Sequence, residues 1–321
     1  MNSRNPVNAG VKHVNVPPSA VGQRLDNYLL RSWKGVPRSH VYRLIRAGQV
    51  RVNGSRSRVF RKLKDGDILR LPPIRLDDAT SRSIPMHLRQ LKVDRLYEDE
   101  NLLIINKPSG IPVHGGTRLR AGIIEILRFQ QELEDSYLEL VHRIDRDTSG
   151  CLILAKEPQT LKRLHSYLRD DKEQIRKRYL ALLCGKWVGG AQSINFPLES
   201  RRFSPEQRRS VVTNTGRAAN SLFTPVESFT EYSLVQIELV TGRTHQIRAH
   251  ASAIGHPVAG DTKYGLRQQN RSLHELGLRR LFLHAHDIRL THPKSGAIID
   301  VSAPLEKDLS QFLELVRQKH A

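Results

Sequence analysis

Cysteine is almost missing from this 321-residue chain. Two residues, Cys151 and Cys184, cannot make a disulfide framework, so stability has to come from a packed core. Aromatic residues make up only 6%, too few for binding by many successive stacked bases. Acids are outnumbered, 32 against 52 Lys and Arg, a formal net charge of +20. No apolar run approaches the ~20 residues a membrane-spanning helix needs. The opening stretch MNSRNPVNAGVKHVNV holds no apolar signal core. Neither common nucleotide-phosphate motif occurs: there is no GxGxxG, and Gly185-Lys186 runs into Trp187 rather than Ser or Thr. What survives these exclusions is a soluble cytosolic protein, not a membrane one, with a polyanionic partner, nucleic acid first.

The length suits one large domain plus a small one. Residues 1–20 read as a flexible tail. From Val21 the pattern sharpens. Leu25, Tyr28 and Leu29, then Val41, Leu44 and Ile45, have helical spacing, separated by Gly35-Val36-Pro37 and closed by Gly48. Val50 and Val52 alternate with Arg51 before an Asn53-Gly54 turn, and Asp65-Gly66 precedes a short strand at Ile68–Leu71. Between Gly22 and Arg75 there are fourteen Lys/Arg and three Asp/Glu, net +11, over half the excess of the whole chain. A solubilising face normally mixes both signs. This one does not, so Arg38, Arg43, Arg46 and Arg51 are expected to meet RNA phosphates. Residues 76–93 read as a linker, and 94–321 as the larger domain.

Within that domain Leu102–Ile105 reads as a buried strand, with turns at Asn106–Gly110 and at Val113-His114-Gly115-Gly116. Leu161, Leu164 and Leu168 mark an amphipathic helix, and Lys177–Leu183 a strand in which Tyr179 has the place of an ordinary buried aromatic. Residues 189–219 suggest a loop or irregular strands; Arg201, Arg202, Arg208 and Arg209 there are open to RNA contact or plain solvation. Ser221–Phe229 and Ser233–Val240 form a hairpin. Ile247, Ala251 and Ile254 give a helix ended by Gly255, Leu281–Ala285 a strand, and Pro304 starts a last helix. His245, His250, His256, His284 and His286 match no common zinc spacing and there is too little cysteine to help, so no metal is expected.

The chemistry concentrates in Val141–Gly150, VHRIDRDTSG. Asp145 and Asp147 lie among Arg143 and Arg146 in a polar loop feeding the apolar run Cys151–Ala155. A carboxylate beside guanidinium groups tends to stay ionised and can then act as nucleophile or base. A surface salt-bridge loop fits the same charges, and the residues alone do not choose between the two aspartates.

Two resemblances narrow this. Val21–Pro72, above all RSHVYRLIRAGQVRVNG, resembles the small αα-β RNA-binding domain of ribosomal protein S-four, the alpha-L motif. Further on, HRIDRDTSG, KRYLAL and GRTHQIRAHASAIGHPVAGDTKYG occur in that order and resemble the large-subunit ribosomal RNA pseudouridine synthases, over about Leu96–Leu305. The resemblance implies an α+β chain whose larger domain has a mixed, largely antiparallel central sheet flanked by helices. It also implies isomerisation of uridine in large-subunit ribosomal RNA by a monomer without cofactor or metal. Position by position it gives Asp145, not Asp147, as the essential carboxylate, and Arg143 as the side chain holding RNA once the base has left the stack. It puts Tyr179 against the target base and Arg248 beside the carboxylate. Ile144 stands where Leu is usual, a swap of similar volume. The competing readings are a non-catalytic ribosome-assembly factor resting on the basic N-terminal unit, and a glycosidase that releases free uracil.

Overall fold

In the computed structural model the chain divides into two compact units, residues 1–83 and 84–321. Residues 10–33, 36, 38–73, 84–115, 121–130, 137–170, 172–203 and 208–320 are described. The expected tail over 1–9, the Gly35 and Pro37 hinge, the linker over 76–83, Gly116 and the side chains of Arg38 and Arg208 lie outside them. Among the described residues no helix is long and apolar enough to cross a membrane.

The first unit runs β1 (Lys12–Asn15), α1 (Leu25–Ser32), α2 (Arg38–Arg46), β2 (Arg51–Val52), β3 (Ser55–Arg56) and β4 (Ile68–Leu71). Its antiparallel sheet has the order β1-β4-β2-β3. Asn53 and Gly54 both take positive φ, 52° and 75°, as a two-residue hairpin turn of the primed type requires. Leu25, Leu29, Val41, Ile45, Val52, Leu63 and Leu69 close the core. The expected tail ends earlier than residue 20. Lys12–Asn15 pairs with β4 from Lys12↔Leu71 to Asn15↔Ile68, and Val16 is buried. Only one hydrophobic residue of KHVN marks that strand, and the surrounding Asn, Gly and Pro mask it.

The second unit begins inside the expected linker, with α3 (Met86–Arg89). Gln130 Nε2 donates to the Arg89 and Leu91 carbonyls at 3.0 and 2.7 Å, and Leu91 and Val93 pack on the core. There follow β5 (Arg95–Glu98), β6 (Leu102–Lys107), α4 (Ile123–Gln130), β7 (Glu139–Leu140), β8 (Ser149–Ala155), α5 (Pro158–Asp170) and β9 (Ile175–Cys184). Next come β10 (Gln192–Ile194), β11 (Leu198–Arg202), β12 (Arg208–Val212), β13 (Ser221–Ser228), β14 (Tyr232–Leu239) and α6 (Gln246–Ala253). The unit ends with α7 (Arg267–Glu275), β15 (Leu283–Thr291), β16 (Ile298–Ser302) and α8 (Lys307–His320). The large sheet has the order β10-β13-β14-β9-β15-β8-β6-β5, with β7 on β8 and β16 on β15. Its pairs are antiparallel except β15 with β8.

This is the mixed, largely antiparallel α+β architecture expected. Two local readings need correction. Within 189–219, β11 and β12 form a regular hairpin in continuous register from Leu198↔Val212 to Arg202↔Arg208. The last helix starts at Lys307, not Pro304. Strands β6 and β8 are buried at every residue, so they carry no alternation, and Leu102–Ile105 and Cys151–Ala155 read as continuous apolar runs.

Candidate active site

The residues just ahead of β8 sit where the sheet changes strand direction. Gly150 has φ 107°, and a Cβ there would lie 2.2 Å from the Ala285 carbonyl oxygen. Only glycine lets the parallel β8–β15 pair close at that point. The preceding loop is tied down from beneath. The Ile153 N–H donates to His142 Nε2 at 3.1 Å, and burial pushes His142 down to about 3, so the ring is neutral. Lys107 is fully buried at the end of β6. Its Nζ donates to the carbonyls of Pro108, Ile111 and Arg146 at 2.7, 2.8 and 3.1 Å. Burial lowers its pKa to about 7, and three acceptors match the three protons of an ammonium.

The facing wall is the start of α6. His245, just ahead of the helix, has φ 52°, a left-handed conformation rare outside glycine and typical of places where geometry is held for a purpose. One turn on, Arg248 points back at the loop. Its Nη1 donates to Asp145 Oδ2 at 3.2 Å. Its Nε and Nη2 donate to Asp261 Oδ2 and Oδ1 at 2.7 and 2.8 Å, a bidentate fork. Asp261 Oδ1 also accepts the backbone N–H groups of Lys263 and Tyr264. The side chains of Arg248, Asp261 and Asp145 are 4%, 0% and 18% exposed. Arg248 is thus fixed from behind by a buried carboxylate, while Asp145 keeps an open side. Burial opposes both charges of the buried pair. The bonds between them outweigh it, holding Arg248 above its ordinary pKa and Asp261 below its own.

Tyr264 completes this wall. Its oxygen accepts the Ser210 N–H at 2.7 Å and lies 3.0 Å from His245 Nδ1, while the Arg248 guanidinium carbon is 5.2 Å from its ring centroid, within cation–π range. Burial lowers His245 to about 4, so the ring is neutral. His245 Nε2 lies 3.8 Å from Asp145 Oδ2. Tyr179, on β9, closes the floor. It is 6% exposed, burial raises its pKa, and it remains a neutral phenol.

Between these walls is a cleft of about 430 Å³ lined by Arg143, Asp145, Lys177, Tyr179, Arg243 and Arg248, among others. Three of the expected residues, Asp145, Tyr179 and Arg248, therefore share one cavity, with Arg143 on its exposed rim. Asp147 is separate from them: it pairs with its neighbour Arg146, Nε to Oδ1 2.8 Å. In the first unit Arg43, Arg46 and Arg51 are exposed, with Arg46 over the Tyr42 ring at 5.9 Å. Asp261, Tyr264, Lys107 and Lys177 received no role from sequence reasoning. The first two lie in the string GDTKYG, but nothing in the string shows that it folds behind Arg248. Among the described residues no group of three His, Cys, Asp or Glu is placed to hold a metal ion. His250 bridges Ser221 and the Phe196 carbonyl, and His284 bridges Ser149 and the Ala303 carbonyl.

Known proteins share both units. Residues 101–253 match the RNA pseudouridylate synthase family, and residues 23–69 match the S4 domain. Ribosomal large subunit pseudouridine synthase C of Pasteurella multocida (strain Pm70) is 42% identical over 316 residues, 98% of this chain and 96% of the relative. The protein of that name from Escherichia coli (strain K12) is 41% identical over 96% of this chain and 97% of its own. Among solved structures, human RNA pseudouridylate synthase domain containing 4 superposes with TM-score 0.57 at 25% identity, over 70% of this chain and 92% of that one.

Proposed function

The chain belongs to the RNA pseudouridylate synthase family and is an RNA pseudouridine synthase, an isomerase, and on that premise we propose that it converts uridines of large-subunit ribosomal RNA to pseudouridine. The proposed substrate follows the relatives, which carry the name large subunit synthase C along nearly their whole length. In the isomerisation the bond from ribose C1′ to N1 breaks, the uracil turns, and C5 bonds to C1′. The C5 proton leaves and N1 ends protonated, so no atom is gained or lost.

Asp145 is the essential carboxylate, acting by nucleophilic attack or by deprotonation on the sugar or the base. One observation carries this assignment. Asp145 and Arg248, 103 positions apart, meet in a cleft whose lining, among the described residues, includes five Arg or Lys and a single carboxylate. A uridine must leave the base stack to enter, at a cost of a few kcal/mol, and Arg143 at the rim offsets part of that by filling the gap. Tyr179 offers its face to the uracil. Arg43, Arg46 and Arg51, with Arg38, contact backbone phosphates, the sequence-independent part of RNA binding. The enzyme acts as a monomer without metal or cofactor, and in the cytoplasm, a reducing compartment that suits its two buried free thiols. The test is Asp145→Asn assayed by tritium release from C5-labelled uridine in ribosomal RNA. Loss of release with RNA affinity retained is expected, and wild-type release would remove Asp145 from the chemistry.

A further inference from the structure

Lys177 lines the same cleft as Asp145, yet nothing said so far uses it. It stands on β9 two residues before Tyr179, so the two side chains leave the strand on one face with their Cα atoms about 7 Å apart. Both line the cavity. Lys177 is half-buried, and its ammonium has no hydrogen bond or ion pair among the described residues. The other cations of the cleft are placed differently. Arg143 and Arg243 are exposed at the rim, as is Arg169, which is held by Asp170; Arg248 is taken by Asp145 and Asp261. The neutral His142 is the titratable neighbour that feels the Lys177 charge. Burial alone pulls Lys177 down to about 8, and no carboxylate opposes it. A cation desolvated in this way and left without a partner is strongly favoured by an arriving anion.

We propose that Lys177 binds the phosphodiester adjoining the target uridine, so that base and phosphate of one nucleotide are held by successive inward-facing residues of a single strand. With the uracil against Tyr179 and the ribose toward Asp145, the phosphate has only to fall within reach of the flexible four-carbon stem of Lys177. Arg143 and Arg243 then serve the RNA outside the cleft, and Lys177 fixes the depth to which the extruded nucleotide enters. This inference rests on the cleft being the uridine site.

The experiment compares wild type, Lys177→Met and Lys177→Arg on a uridine-containing RNA. One RNA series carries a neutral methylphosphonate on the 5′ or the 3′ side of the target; a second has ordinary phosphodiesters at those positions, with matched sugars. On ordinary RNA, Lys177→Met is expected to lower kcat/KM about tenfold, mainly through KM, and Lys177→Arg to recover most of it. One of the two methylphosphonates should cost wild type a similar factor and cost Lys177→Met nothing further, because the same contact is already gone. Losses that multiply at both positions overturn the proposal, as does a Lys177→Met enzyme with an unchanged KM. Lys177→Gln, with circular dichroism, separates a folding defect from lost binding. Failure of wild type to modify any uridine of the RNA would instead sink the function on which the inference rests.

Discussion

In the first unit Arg43, Arg46 and Arg51 stand in solvent, with no carboxylate partner among the described residues. In the second, Arg248 is almost completely buried and clasped by two carboxylates. The side-chain type is the same and its use differs with burial. An exposed guanidinium is a charge offered to whatever polyanion arrives, screened by salt and tolerant of position. A buried one has been paid for in desolvation and is useful only in one geometry. On the function proposed above, the first unit would contribute attraction and the second the placement of Asp145.

The largest effect that separates these uses is at Asp145 itself. Asp145→Asn is expected to lower turnover about 10²–10⁴-fold. The fold should not suffer, because Arg248 keeps both of its bonds to Asp261 and no buried charge is orphaned. A melting temperature that falls together with activity would place Asp145 among the structural carboxylates and blur the contrast.

The next effect is at Asp261, where the expectation is reversed. Asp261→Ala leaves Arg248 buried without its main partner, a loss of about 3–5 kcal/mol and a melting temperature lower by roughly 10 °C. Activity should fall with it as the guanidinium loses its orientation. The pair also sets an acid limit. The pKa of Asp261 is depressed in the fold, so its contribution is present above the unfolded carboxylate pKa of about 4 and is lost as pH falls through the depressed value. Urea midpoints measured from pH 6 downward should drop for wild type and drop less for Asp261→Ala. Equal slopes would mean that the acid transition belongs elsewhere, for instance to the buried Asp26 held by Arg24 and Tyr42 in the first unit.

The contrast also explains how far the sequence could be read. The first unit was legible because its signals are local: helical spacing, an Asn-Gly turn and an excess of one charge. Its β1 was not, since four residues with one apolar side chain become a strand only against β4. Asp145, Tyr179 and Arg248 were located by ordered motifs, but their convergence depends on the β8–β15 parallel pair, a contact between residues about 135 positions apart. Asp261 and Lys107 escaped for the same reason. A buried carboxylate or lysine looks like any surface charge until its partners are known, and the partners of Lys107 are backbone carbonyls, which leave no trace in composition.

A smaller effect is expected from the exposed arginines. The triple change of Arg43, Arg46 and Arg51 to Ala should weaken RNA binding and reduce the salt slope by about 0.7–0.9 per phosphate contact removed. Single-turnover rate at saturating RNA should be unchanged. Filter binding between low and physiological salt measures this. An unaltered slope would show that these side chains meet no phosphate, and would leave the first unit without the role its charge suggests.

The smallest change concerns Tyr179, a residue that belongs to placement although it carries no charge. Its hydroxyl has no hydrogen-bond partner among the described residues, and burial keeps it protonated. Its contribution should therefore come from the ring, packed on the cleft floor beside Asp145. Tyr179→Phe retains the face proposed to stack on uracil and should stay within about threefold of wild-type turnover, whereas Tyr179→Ala would remove about 1–3 kcal/mol of stacking and should cost ten- to a hundredfold. Rates of tritium release for the two variants decide the matter. If Phe is as damaged as Ala, the hydroxyl reaches the substrate, and the floor of the cleft takes part in the proton transfers.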